Sequence, residues 1–274
     1  MTVEINSLTR LYAVFGDPVA HSLSPAMHNR AFTHIGENAA YMAFRVTDVQ
    51  GAVRAIRAFD IGGASVTIPH KVSVMEHLDE VDETARAMGA VNTIINDQGR
   101  LIGKNSDCLG AVKAIQEKTP VKDKDVVVIG AGGAARAVIY GLKQEGARVT
   151  IVNRTMEKGA RLAEELGVDF QPMEDLGKLN CRIAVNATSV GMVPNVQDSP
   201  APASFFNKDM VAMDIVYRPL LTRFLSDARN AGCTIVDGIA MFVYQGASQF
   251  EWWTGKEAPV AQMRETVETI LGQR

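Results

Sequence analysis

Residues 126–135 read Val-Val-Val-Ile-Gly-Ala-Gly-Gly-Ala-Ala and decide the fold class of this 274-residue chain. The apolar run from Val126 to Ile129 is typical of a strand buried in a parallel sheet. Gly130, Gly132 and Ala135 then have the Gly-x-Gly-x-x-Ala spacing of a tight turn that opens a helix and lets a pyrophosphate approach the backbone. The stretch predicts a dinucleotide-binding turn; the alternative is an ordinary tight turn between strand and helix.

The next predicted strand indicates which dinucleotide binds. Residues 149–155 read Val-Thr-Ile-Val-Asn-Arg-Thr, without the Asp or Glu that binds the ribose 2′-hydroxyl in NAD sites. Arg154 offers a guanidinium where the 2′-phosphate of NADP would lie, and Lys158 adds a second positive charge one turn later. The pattern favours NADP; the alternative for Arg154 is a solvated arginine at a helix start.

Strands and helices alternate along the chain, which predicts an α/β fold with a doubly wound parallel sheet. Ser24 is expected to cap a helix over residues 25–35, and Asp48 to cap a helix over 48–58. A charged helix is expected over 79–88. Residues 238–274 predict two helices that divide near Gly255 and Pro259.

Composition excludes several classes of protein. Hydrophobic residues make up 47 % and charged residues 22 % of the chain, so disorder is not expected. The formal charge is −3 and there is no Lys/Arg block, so we expect neither a nucleic-acid partner nor a membrane anchor. Three scattered cysteines and five histidines show no metal-ligand spacing, so no metal is expected. Without a signal-peptide core, the chain is expected in the cytoplasm.

Polar residues gather at loop positions beyond predicted strands. Ser22 and Ser24 lie near a helix start, where two hydroxyls could bind a carboxylate, although simple capping by Ser24 explains them as well. Lys71 follows an apolar strand, where a partly desolvated ammonium can act as an acid or base; a surface lysine is the alternative. With Asn92 and Asp107, these residues would suit a small polyhydroxylated acid.

The order of motifs resembles the shikimate dehydrogenase family nearly end to end. The resemblance rests on residues 16–29, 66–71, 89–93, 105–107, 130–137, 153–155, 186–192, 214–219, 237–238, 245–246 and 253–255. It implies a discontinuous substrate-binding α/β domain over 1–102 and 238–274 and a Rossmann-type, doubly wound NADP-binding domain over 103–237. It also implies reversible, NADP-dependent reduction of 3-dehydroshikimate to shikimate, a step in chorismate and aromatic amino acid biosynthesis.

The resemblance assigns roles to individual residues. Lys71 and Asp107 would form the catalytic pair, with Lys71 as proton donor to the new alkoxide. The substrate contacts would be Ser22, Ser24, Ser65, Thr67, Asn92, Ser106, Tyr217 and Gln245. The cofactor contacts would be Glu83, Gly130, Ala131, Gly132, Gly133, Ala134, Ala135, Asn153, Arg154, Thr155, Lys158, Ala187, Thr188, Ser189, Val190, Ile215, Gly238 and Met241.

The chain departs from the family pattern at Ser65, Ser106, Cys108 and Lys158, where most relatives have Asn, Thr, Gly and Arg. Some relatives with a small hydroxyl residue at the Ser65 position also oxidise quinate, so a quinate/shikimate dehydrogenase with relaxed use of NAD and NADP is the nearest alternative. A ligand-sensing regulator is a further alternative, disfavoured because Lys71 and Asp107 are both retained and no DNA-binding domain is added. Monomers and homodimers both occur in the family.

Overall fold

The computed structural model describes residues 4–272 and divides the chain into two compact units. The first unit holds the chain up to Ser106 and again from Gln245, and the second runs from Asp107 to Tyr244. Both divisions fall a few residues beyond those expected from the sequence. Ser106 remains in the first unit because its amide N–H donates to Asn92 Oδ1, and Gly238 remains in the second because its Cα packs against the carbonyls of residues 215 and 216.

The first unit is a mixed six-stranded sheet with helices. Its strand order is β2-β1-β3-β5-β6-β4, in which β5 is antiparallel to β3 and β6. The strands are β1 (Arg10–Gly16), β2 (Ala39–Arg45), β3 (Gly63–Val66), β4 (Glu80–Val81), β5 (Thr93–Asp97) and β6 (Arg100–Lys104). The helices up to residue 106 are α1 (Ser24–Ile35), α2 (Val49–Ala58) and α3 (Glu83–Met88).

The second unit is a six-stranded parallel sheet of order β12-β11-β10-β7-β8-β9. Read from β9, this is the doubly wound order 3-2-1-4-5-6 of dinucleotide-binding domains. The predicted fold class is thus confirmed. The strands are β7 (Asp125–Ile129), β8 (Arg148–Asn153), β9 (Asp169–Pro172), β10 (Ile183–Asn186), β11 (Val211–Asp214) and β12 (Thr234–Val236), and the helices are α4 (Asp107–Gln116), α5 (Gly133–Gln144), α6 (Met156–Leu166) and α7 (Arg223–Asn230).

Two helices complete the chain, as the sequence predicts. They are α8 (Gly238–Thr254) and α9 (Val260–Gly272), separated by Gly255 with φ +67°. Small residues let α4 and α5 pack closely, because a Cβ added at Gly141 would lie 3.0 Å from the carbonyl oxygen of Cys108. No helix within residues 4–272 is long and apolar enough to span a bilayer.

Two local predictions were wrong and one is confirmed. The charged helix begins only at Glu83, because residues 80 and 81 pair with β6 as a short strand. Ser24 does not cap α1: the N-cap is Leu23, and no side chain makes the capping hydrogen bond. Asp48 caps α2 as predicted, since its Oδ1 accepts from the Gly51 amide at 2.9 Å.

Candidate active site

Lys71 and Asn92 are brought together by the backbone of the first unit. Strand β3 ends at Val66, and the chain turns through Thr67 before reaching Lys71. The Val66 amide donates to the Asn92 carbonyl at 2.8 Å, and the Val91 amide donates to the Lys71 carbonyl at 2.8 Å. Because Val91 and Asn92 are adjacent, these two bonds place the backbones of the two predicted site residues side by side.

Beside Lys71 lies a buried group of hydrogen-bonded side chains. Asn92 Oδ1 accepts from the Ser106 amide at 2.9 Å and from the Thr93 hydroxyl at 2.7 Å. Asn92 Nδ2 donates to Ser106 Oγ at 3.0 Å. The four buried residues Ser65, Asn92, Thr93 and Ser106 are called the polar wall below. Three of them, Ser65, Asn92 and Ser106, are predicted substrate contacts, and the fourth, Thr93, is not singled out by the sequence.

Ser65 connects the polar wall to Tyr41 and to helix α8. The Tyr41 hydroxyl donates to Ser65 Oγ at 2.6 Å, and Ser65 donates to Gln249 Oε1 at 2.8 Å. Burial raises the pKa of Tyr41 and outweighs the hydrogen bonds to Ser65 and Ser24 that lower it. Tyr41 therefore remains a neutral phenol that can donate. The sequence does not single out Gln249; its one signal is that it lies one helical turn after Gln245.

The two serines before α1 have different environments. Ser24 is buried and hydrogen-bonds with Tyr41. Ser22 is partly exposed, and its Oγ accepts from the Ser24 amide at 3.3 Å. The first turn of α1 carries no acidic residue. This helix start is consequently suited to a carboxylate on electrostatic grounds.

In the second unit, the Gly130–Ala135 turn leaves room for an anion at the start of α5. Gly130 has φ +123°, and a Cβ there would lie 3.0 Å from the Ala187 carbonyl oxygen, so glycine is required. A Cβ at Gly132 or Gly133 would meet nothing within 4 Å. No side chain caps α5, and its first turn has no acidic residue. The turn thus offers open space and uncapped amides, which a pyrophosphate requires.

The end of β8 presents positive charge to solvent. Asn153 Nδ2 donates to the Thr155 carbonyl at 2.8 Å, which fixes the turn into α6. Arg154 and Lys158 are exposed, and neither forms an ion pair with another residue of the described chain. One acidic residue, Glu157, lies in the same helical turn. The two cations are available for a phosphate group, as the sequence predicts for NADP.

A buried carboxylate organises the ends of β10 and β11. Asp214 accepts from Asn186 Nδ2 at 3.0 Å and from Thr222 Oγ1 at 2.6 Å. Asn186 Oδ1 in turn accepts from the Thr188 amide at 3.0 Å, which fixes the loop over residues 187–190. Burial raises the pKa of Asp214 to about 6, against the hydrogen bonds that lower it. Asp214 lies within one of the motifs that carry the family resemblance, but the sequence alone assigns it no role. Its hydrogen-bond partners lie on another strand and on a loop, which the sequence does not place beside it.

The remaining predicted residues occupy varied positions. Gly238 starts α8, and a Cβ there would lie 2.7 Å from two backbone carbonyl oxygens. Met241 belongs to the hydrophobic core of the second unit. Tyr217 packs on Phe242 with ring centroids 5.4 Å apart, and burial raises the pKa of Tyr217.

The two units divide the predicted site residues between them. The first unit holds the predicted substrate contacts other than Tyr217, together with Lys71. The second holds Asp107 at the start of α4, Tyr217 and the predicted cofactor contacts other than Glu83. Glu83 is exposed at the start of α3 in the first unit. Within residues 4–272, no three His, Cys, Asp or Glu side chains are placed to hold a metal ion.

Three family models match successive parts of the chain. The shikimate dehydrogenase substrate-binding domain matches residues 14–94, the shikimate/quinate 5-dehydrogenase model matches 112–214, and the shikimate 5′-dehydrogenase C-terminal domain matches 238–268. The chain belongs to the shikimate dehydrogenase family. The resemblance stated from the motifs is thereby confirmed.

Individual shikimate dehydrogenases match over almost the whole chain. The enzyme of Syntrophobacter fumaroxidans, named shikimate dehydrogenase (NADP(+)), is 43 % identical, with 97 % of this chain and 96 % of that protein covered. The enzyme of the same name from Pyrococcus furiosus is 42 % identical, with 98 % and 99 % covered. The crystal structure of the Thermus thermophilus shikimate 5-dehydrogenase with NADP(H) and shikimate superposes with a TM-score of 0.90, at 39 % identity, covering 95 % of this chain and 99 % of that one.

Proposed function

We propose that this chain is an NADP-dependent shikimate dehydrogenase that reversibly reduces 3-dehydroshikimate to shikimate. The observation that carries the proposal is that shikimate dehydrogenases named for NADP(+) match both units of the chain over nearly their full length. The quinate alternative is not favoured, because the relatives reported above are named for shikimate. We assign substrate binding to the first unit and cofactor binding to the second.

The second unit carries groups that fit NADP. The uncapped start of α5 at Gly132 would hold the pyrophosphate through amide N–H groups. Arg154 and Lys158 would hold the 2′-phosphate, with Arg154 able to form two parallel hydrogen bonds. NADPH, when bound, supplies the hydride that reduces the ring ketone.

The first unit would hold the substrate and supply its proton. Uncharged donors of the polar wall would bind the ring hydroxyls, and the α1 start with Ser22 would bind the carboxylate. Hydride addition to a ketone carbon leaves an alkoxide, which must take up one proton. Lys71 would give its ammonium proton to that oxygen, with Asp107 as its partner in the catalytic pair, and would take the proton back in the reverse direction.

The test is turnover by the purified chain, followed as NADPH absorbance with shikimate and NADP+. We expect Lys71→Ala to lower kcat by about a hundredfold or more, the usual contribution of a general acid, with the KM for NADP+ within about twofold of wild type. Lys256→Ala is the matched control, since Lys256 forms an ion pair with Glu37 in the same unit and should keep kcat. Unchanged kcat in Lys71→Ala would refute the role of Lys71, while an inactive wild type would refute the proposed function.

The same assay should compare quinate with shikimate as substrate and NAD+ with NADP+ as cofactor. We expect kcat/KM to be highest for shikimate with NADP+. The cytoplasm is the location that we propose, because the three cysteines are buried thiols, as in proteins of reducing compartments.

A further inference from the structure

We propose that Gln249 is a positioning residue for substrate binding: it sets the directions of the Ser65 and Thr93 hydroxyls and, together with the Ser106 amide, keeps the oxygen of the Asn92 amide turned into the polar wall. The inference rests on the proposed function, because the wall is taken as the surface that binds shikimate. Gln249 lies on α8, is buried, and is one helical turn after the predicted substrate contact Gln245.

Gln249 bridges two strands of the first sheet. Ser65 on β3 and Thr93 on β5 are directly opposite each other in antiparallel register, so their side chains share one face of the sheet. Gln249 Oε1 accepts from Ser65 Oγ at 2.8 Å, and Gln249 Nε2 donates to Thr93 Oγ1 at 2.9 Å. One side-chain amide therefore joins both members of this cross-strand pair.

The orientation of the Gln249 amide follows from a single backbone group. Gln249 Nε2 also lies 3.2 Å from the carbonyl oxygen of Asn92. A carbonyl oxygen can only accept, so the Gln249 atom facing it must be the nitrogen. The oxygen of the same amide must then face Ser65, which has to donate its hydroxyl proton to it.

The direction of the bond between Thr93 and Asn92 follows from this orientation. Since Thr93 Oγ1 accepts from Gln249, its own proton is directed to Asn92 Oδ1, 2.7 Å away. Asn92 Oδ1 also accepts from the Ser106 amide, so the Asn92 oxygen is turned into the protein. The Asn92 nitrogen lies on the opposite side of the amide, where it donates to Ser106 Oγ at 3.0 Å. An amide N–H on that side has the polarity that a substrate hydroxyl or a developing alkoxide needs.

On the other side, the same network extends to Ser24. Ser65 gives its proton to Gln249 and therefore accepts from Tyr41, which hydrogen-bonds in turn with Ser24. Gln249 thus links the two ends of the predicted substrate site, Ser24 near the carboxylate and Asn92 near the ring. Buried networks of this kind are rigid when every member is satisfied and are disrupted when one member is reversed.

Two nearly isosteric substitutions test the inference in the full-length chain. Gln249→Met keeps the volume and removes both hydrogen-bonding groups. Gln249→Glu places a carboxylate, which only accepts, against the Asn92 carbonyl and draws the Thr93 proton away from Asn92. We expect each variant to raise the KM for shikimate by about tenfold or more, the cost of one unsatisfied buried polar group, with the KM for NADP+ within about twofold. In Gln249→Glu, the KM for shikimate should fall as pH is lowered from about 8 to about 6, because a protonated carboxyl can donate again.

The matched control is Asn96→Leu. Asn96 is a buried amide in the same unit, with Nδ2 donating to the Ile61 carbonyl at 2.8 Å and Oδ1 accepting from the Gly99 amide at 2.8 Å. It lies outside the network, so Asn96→Leu should lower thermal stability without raising the KM for shikimate. A Gln249→Met enzyme with wild-type KM for shikimate, or one whose two KM values rise together, would overturn the inference while leaving the proposed function intact. Wild-type enzyme that does not oxidise shikimate would overturn both.

Discussion

We expect His28 to make the first unit sensitive to acid. It is fully buried on α1, and its ring stacks on Tyr41 with centroids 4.5 Å apart and planes inclined by 10°. Neither ring nitrogen has a hydrogen-bond partner among the described residues. Burial therefore lowers the pKa of His28 from 6.5 to about 3, because the charged imidazolium would have no compensation inside the core.

The sign and size of the effect follow from that shift. A base with a lowered folded-state pKa stabilises the fold above its unfolded pKa, and this contribution is lost as pH falls from about 6.5 toward about 3. Between about pH 7.5 and about pH 5, protonation of His28 in the unfolded chain alone lowers the free energy of unfolding by about 2 kcal/mol. This window lies above the range in which most carboxylates titrate.

Tryptophan fluorescence can follow the first unit on its own. The chain has two tryptophans, Trp252 and Trp253, and both lie in the first unit, where Trp253 stacks on Tyr12 at 5.2 Å. Urea titrations at the two pH values give the change in unfolding free energy for wild type and for His28→Phe. Between the two pH values, the unfolding free energy of His28→Phe should change by about 2 kcal/mol less than that of wild type. The comparison holds whatever the absolute stability of the variant, because all other groups titrate alike in both proteins.

The exposed His34 on the same helix supplies the control. His34→Asn should retain the wild-type dependence on pH. A His28→Phe protein with the same pH-dependent change as wild type, within about 0.5 kcal/mol, the usual spread of additive substitutions, would refute the reasoning. It would mean that the buried imidazole binds its proton as readily as the unfolded chain does.

Two further predictions concern the second unit. Burial raises the pKa of Asp214 to about 6, so stability from this group is present below its unfolded pKa near 4 and is lost as pH rises through about 6. From about pH 5 to about pH 7.5, the free energy of unfolding should fall by about 1.5 kcal/mol. Hydrogen exchange of β10 and β11, corrected for the intrinsic rate, measures this fall, and Asp214→Asn should abolish it. Equal pH dependence in both proteins would contradict the prediction. Arg154→Gln should raise the KM for NADP+ by about tenfold or more, as expected for loss of charge-assisted hydrogen bonds, without changing the KM for NAD+; equal effects on both cofactors would remove Arg154 from the 2′-phosphate site.

The parts of the molecule that the sequence predicts well are those fixed by local constraints. The turn at Gly130 combines a positive φ with a close carbonyl, and glycine is the residue that satisfies both. The Asp48 cap forms within three residues along the chain. In contrast, the expected helix over 79–88 loses its first turn, because residues 80 and 81 gain a partner strand that periodicity along the chain does not reveal.

Hydrogen bonds between residues far apart in the chain were beyond prediction. Ser65 and Gln249 are separated by 184 positions, yet they share a hydrogen bond of 2.8 Å. Ser65 was assigned only through the family resemblance and Gln249 was not assigned, since serine and glutamine are common on surfaces. Asp214 likewise accepts a hydrogen bond from Asn186, which is 28 positions away in the chain. The residues that would contact substrate and cofactor could be predicted from the sequence. The residues that orient them could be identified only from the fold.

The two units use different chemistry for the ligands that we assign to them. The polar wall of the first unit consists of neutral groups, whose donors and acceptors discriminate the placement of hydroxyls and need no net charge. The anion site that we propose in the second unit combines helix amides with exposed Arg154 and Lys158. A chain of net charge −3 can therefore bind an anionic dinucleotide through a local concentration of positive charge. Because the wall is neutral, we expect its selectivity to depend on the direction of each hydrogen bond. Reversal of a single amide, such as that of Gln249, should then alter selectivity without altering the charge of the site.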